Sequence, residues 1–162
     1  MLKARLKVAI LSSVSVVALL FLTTPTAHSG SDDLGGKLST TGGQSLFNPC
    51  NSQTVTGSAS FSASVSAEKE DGGQADVIVR VSISATGETD TSGNLYNVHG
   101  SGRGEFNTLG VVYFVPLTLD YDSPSNPSVS FHALTETLVT VDANQKPLTI
   151  PNIGFTQTCG GK

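Results

Sequence analysis

The chain has 162 residues, nine of them basic and thirteen acidic, for a formal charge of −4. Lys3, Arg5 and Lys7 all precede the first apolar run, so residues 30–162 set six basic against thirteen acidic side chains and carry a formal charge of −7. An acidic domain of 133 residues is a poor partner for nucleic acid or anionic membrane, and its length suits one hydrophobic core.

The three N-terminal cations lead into an apolar run from Val8 to Leu22 and then a polar stretch ending at Ala27 and Ser29. This is the pattern of a secretory signal peptide, residues 1–29, with cleavage expected after Ser29. A membrane anchor would need about 20 apolar residues, more than this run supplies, so no stable membrane insertion is expected once the signal is removed. The first cysteine, Cys50, lies too far on to carry a lipid anchor. A secreted or periplasmic location follows.

Residues 30–46, with Gly35-Gly36 and Gly42-Gly43, show no sustained apolar period and read as a flexible leader to a single β domain over 47–162. From Val55 to Ala67, apolar residues at odd positions alternate with Ser and Thr at even ones, the period-two signature of a strand with one buried face. Glu68 to Gly73 forms a turn, and Ala75 to Thr86 alternates again, completing a hairpin. Further strands are expected over Tyr96–Phe106, Val111–Tyr121, Val129–Val141 and Leu148–Cys159, the last marked by Pro147 and Pro151 as a sheet edge or bulge. The expected fold is all-β: an antiparallel up-and-down meander of about six long strands, closed as a small barrel or flattened sandwich. Phe61, Val79, Val81, Tyr113 and Val115 fall on the core phase, Arg80 and His132 on the exposed one.

Cys50 precedes the first of these strands and Cys159 closes the last, at the same end of an even-numbered meander. In an oxidising compartment such a pair is expected to form a disulfide where the sheet closes on itself. The spacing is unlike Cys-x-x-Cys and implies no redox catalysis.

Catalytic chemistry has few candidates. His99 and His132 both lie opposite the apolar stripe of their strands, and Glu136 is about 13 Å along the strand from His132. Arg103 and Glu105 beside His99 read as a solvated pair. The serines at 58–66 form the polar face of a strand, with no Gly-x-Ser-x-Gly, and two histidines with scattered carboxylates make no zinc pattern. No catalytic residue, metal site or cofactor is assigned. The unusual feature is Gly100, Gly102 and Gly104, three successive residues of one strand face without side chains. They read either as a bent strand covered by neighbouring aromatics such as Phe61 or Tyr113, or as a ligand-facing strip.

Phe47-Asn48-Pro49-Cys50, Thr91-Ser92-Gly93-Asn94-Leu95-Tyr96, Val139-Thr140-Val141-Asp142-Ala143-Asn144 and the terminal Cys159 together resemble a family of secreted bacterial proteins of unknown function with an Asn-Pro-Cys opening. The resemblance spans most of residues 47–159 and implies an exported β fold. That family usually has a Gly-Glu pair after Asn-Pro-Cys, where Asn51, Ser52 and Gln53 stand here, and often histidines where this chain has Leu134 and Leu138. The leading expectation is a non-enzymatic exported domain serving as an interaction or structural module. The alternatives are a small apolar-ligand carrier barrel and a hydrolase or isomerase using His99 or His132. A membrane β-barrel ranks last, since single-chain barrels begin at eight strands and carry aromatic girdles.

Overall fold

A computed structural model describes residues 34–69 and 74–160. The expected signal peptide and the hairpin tip at 70–73 lie outside these described residues. Among the described residues the strands are β1 (Leu34–Asn48), β2 (Gln53–Lys69), β3 (Ala75–Thr89), β4 (Leu95–Phe106), β5 (Val112–Asp122), β6 (Phe131–Val141), β7 (Pro147–Thr149) and β8 (Asn152–Cys159), with a 3-10 turn at Pro127–Val129. Consecutive strands from β1 to β7 pair antiparallel, and β8 also pairs β6. The result is an all-β meander curled into a half-barrel.

Strict alternation explains β2, β3, β5 and β6: a period of two sends Val55, Ala59, Phe61, Ala63 and Val65 inward, and likewise Val77, Val79, Val81 and Ile83. The five residues expected in the core are all buried and Arg80 is exposed, whereas His132 is half-buried, its side chain 35% exposed. Tyr121, at the end of β5, stacks on Phe131, at the start of β6, with ring centroids 4.4 Å apart, and Tyr96, near the start of β4, meets the same ring edge-on at 6.2 Å.

Two expectations are corrected. Residues 30–46 are not a flexible leader throughout, because Leu34–Asn48 forms a fifteen-residue strand paired along its whole length with β2, Leu46 opposite Val55 and Leu38 opposite Ala63. The strand count rises from six to eight for this reason and because Pro151 divides the last strand into β7 and β8, both on β6. Pro151 has no N–H for a ladder, but its carbonyl accepts from Leu138 N–H at 2.9 Å.

No ladder joins β1 to β7 or β8 among the described residues, and the curled sheet is held at its two rims instead. At one rim the Cys50–Cys159 disulfide, Cα atoms 5.2 Å apart, ties the β1–β2 turn to the end of β8. At the other, Gly35 N–H donates to Asn144 carbonyl at 2.8 Å. The bridge spans 109 residues of chain, a loop whose closure the chain-entropy model values at about 4.7 kcal/mol.

Candidate functional site

The disulfide rim is built on polar turns. Asp90 accepts from the backbone N–H groups of Ser92 and Asn94, both at 3.0 Å, from Asn51 and Asn94 side chains at 2.8 Å, and from the Tyr96 hydroxyl at 2.9 Å. Asn48 donates to Tyr96 Oη and to Val129 carbonyl while its Oδ1 accepts from Cys50 N–H. Burial pushes the Asp90 carboxyl up, but the donors, Asn94 first, hold it down to about 2. Burial and the Asp90 acceptor push Tyr96 up to about 12. Asn48-Pro49-Cys50 and Thr91–Tyr96, far apart in sequence, thus meet as one hydrogen-bonded clasp. At the other rim Asp142 Oδ1 accepts from Asn144 and Lys146 N–H, shaping the turn that receives Gly35.

The glycine strip is not an open wall. A Cβ at Gly100 would lie 2.5 Å from Leu119 Cδ2 and against Thr118 carbonyl; one at Gly102 would collide with Pro116 carbonyl and lie 3.2 Å from Val115 Cγ1; one at Gly104 would lie 2.7 Å from the Phe106 ring. The nearest cover is therefore β5 backbone with the Leu119 and Val115 side chains, and Phe106, rather than the Phe61 or Tyr113 expected. The β4–β5 ladder runs only from Asn97 to Ser101, and beyond it β5 passes over the side-chain-free face of β4.

Chemistry gathers on the outer face, where register aligns residues of adjacent strands in rows. One row is Lys37, Ser64, Arg80 and Arg103, on β1 to β4 in order. The next is Ser39, Ser62, Ser82 and Ser101, with Ser62 and Ser82 hydroxyls 2.7 Å apart. Lys37, Arg80, Arg103 and the serines 62, 64, 82 and 101 line an open groove of about 470 Å³ whose floor reaches Val81 and Gly102. Gly102 so borders a groove, though on the face opposite to the strip's packing side. Arg80 and Arg103 stand directly opposite each other, an arrangement of like charges that costs about 0.2–1 kcal/mol. Arg103 is relieved by Glu105 at 2.5 Å; Arg80 and Lys37 have no ion-pair partner among the described residues.

A third row brings together the two histidines: His99, Asp120 and His132 occupy matched positions on β4, β5 and β6. His132 Nδ1 hydrogen-bonds Asp120 Oδ1, His99 Nε2 is 3.3 Å from Asp120 Oδ2, and His99 Nδ1 is 3.8 Å from Asp122. Glu136 is not part of this cluster. Among the described residues no three or more His, Cys, Asp or Glu side chains group to hold a metal ion. Sequence reasoning missed the cationic row because it placed Lys37 in a leader; the available signal was the serine phase of β2, which marks an outward polar face.

Comparison with known protein families, with curated proteins and with solved structures returned no match.

Proposed function

We propose that the chain is an exported, non-enzymatic binding module whose working surface is the outer face of β1–β4. The observation that carries this reading is the groove over four strands, lined by cations and hydroxyls, on the outside of a scaffold whose glycine strip is filled by β5. The N-terminal pattern and the likeness to secreted bacterial proteins support a secreted or periplasmic setting, with which the disulfide is consistent. The fold contributes rigidity: a face whose neighbouring strands are locked in register presents its side chains at fixed spacing, which limits the entropy lost on binding.

Amide chemical-shift mapping with dextran, dextran sulfate and dodecanoate tests the reading. Shifts confined to outward positions such as Ser62, Arg80 and Ser101 are expected from a saccharide polymer. Shifts centred on inward residues such as Val98 and Leu117, produced by dodecanoate alone, would replace this reading by the apolar carrier. A second reading, hydrolysis at His99 and His132, is favoured by the Asp120 that lies between them. It requires ester turnover that disappears in His99→Gln and His132→Gln variants.

A further inference from the structure

The rows of the outer face identify a ligand class, an inference that rests on the binding-surface reading. We propose that Lys37, Arg80 and Arg103 bind a glycan bearing sulfate or phosphate esters, with Ser62, Ser82 and Ser101 meeting its sugar hydroxyls.

Charge placement is the first argument. The described chain is acidic overall, yet three of its cations line one groove, two of them face to face in register. Folding alone gains nothing from that pairing, whereas an ester anion between the two guanidinium groups converts the repulsion into attraction. Guanidinium forks match the oxygens of sulfate and phosphate, and among the described residues Arg80 has no ion-pair partner to occupy its fork.

Dimensions are the second. Lys37 and Arg103 are three strand spacings apart, about 14 Å, so the row accommodates a short run of sugar units lying across the strands. Hydroxyls both donate and accept, as sugar hydroxyls do, and the serine row runs parallel to the cationic one. The third argument is exclusion. On one side of the cationic row Glu105 and Asp76 line a second groove of about 500 Å³; beyond the serine row stand Asp120 and Asp122. These carboxylates repel an anion that runs along the strands and confine it to the crossing direction. Among the described residues no aromatic side chain lines the cationic groove, so a nucleobase finds no stacking partner there.

Calorimetric titration of the purified chain at low salt with dextran sulfate, dextran phosphate and neutral dextran tests the assignment. The charged polymers are expected to bind at least tenfold more tightly than neutral dextran, and the ratio of the two charged arms identifies the preferred ester. Arg80→Gln with Arg103→Gln should weaken binding tenfold or more while moving the thermal midpoint by no more than a few degrees, since a like-charge pair and the exposed Arg103–Glu105 ion pair are removed together. Lys146→Gln, a cation that does not line the groove, should change affinity less than twofold. Equal loss in Lys146→Gln would overturn the proposal in favour of diffuse attraction. Neutral dextran binding this face as well as the charged polymers would also overturn it while leaving the surface reading intact. Failure of both dextran and dextran sulfate to shift the face in the mapping experiment would remove both.

Discussion

Glu88 and Asp90 are two residues apart and titrate in opposite directions. The bulge at Gly87, φ +75°, turns Glu88 inward, where its chain lies over Gly57 and its Oε1 accepts from Gln44, while Oε2 is buried without a hydrogen-bond partner. Burial raises its pKa above the ordinary 4.5, opposed by the Gln44 hydrogen bond. A carboxyl raised on folding weakens the fold as pH climbs past 4.5, because the unfolded chain ionises first; Asp90, held down to about 2, supports the fold above about pH 4 and loses that support as pH falls toward 2. Glu88→Gln should therefore gain thermal stability relative to the parent chain between pH 4 and pH 7. A difference in melting temperature that stays constant over that range would show that Glu88 is not desolvated. Gly102 makes a second residue-scale case. Gly102→Val forces a side chain into Pro116 carbonyl and should cost about 3 kcal/mol in chemical unfolding, the upper end for overpacking. Gly43→Val, where an added Cβ meets only Gly57 carbonyl at 3.8 Å, should cost far less, and equal costs would mean the strip is not covered by β5.

At the scale of elements, the strands with unbroken apolar alternation were legible from β2 to β6, and their inward residues with them. β1 was not, because its inward phase, Leu34, Gly36, Leu38, Thr40, Gly42, Gln44, Leu46 and Asn48, is apolar at only three positions. Its inward glycines make sense only beside their neighbours: the Lys146 stem lies 3.1 Å from where a Gly36 Cβ would be. Strand partnership, not hydrophobicity, defines this element, since β1 pairs with β2 along the whole of its own length. Leu46→Ala should then cost about 2–4 kcal/mol, as for any buried leucine, and a silent substitution would return residues 34–48 to the status of a leader. The bulge at Gly87 hid Glu88 in the same way: one extra residue reverses the inward phase, and alternation alone ends the pattern at Thr86.

For the molecule as a whole, the disulfide pairing was readable because two cysteines at one end of a meander have a single pairing, and the added strand left both at the same rim. The short motifs proved to be turn chemistry, with Asp90 and Asn48 binding the disulfide rim and Asp142 the other. The groove was hidden for a different reason. It exists only as a product of four strand registers, which set Lys37, Ser64, Arg80 and Arg103 side by side although they are spread over 67 positions of sequence. Ser82→Trp fills that groove without removing a charge or touching the inward face, so it separates location from electrostatics. The Ser82→Trp chain, melting within a few degrees of the parent, should bind dextran sulfate at least tenfold more weakly. Undiminished binding by that chain would contradict the assignment of function to the outer face of β1–β4.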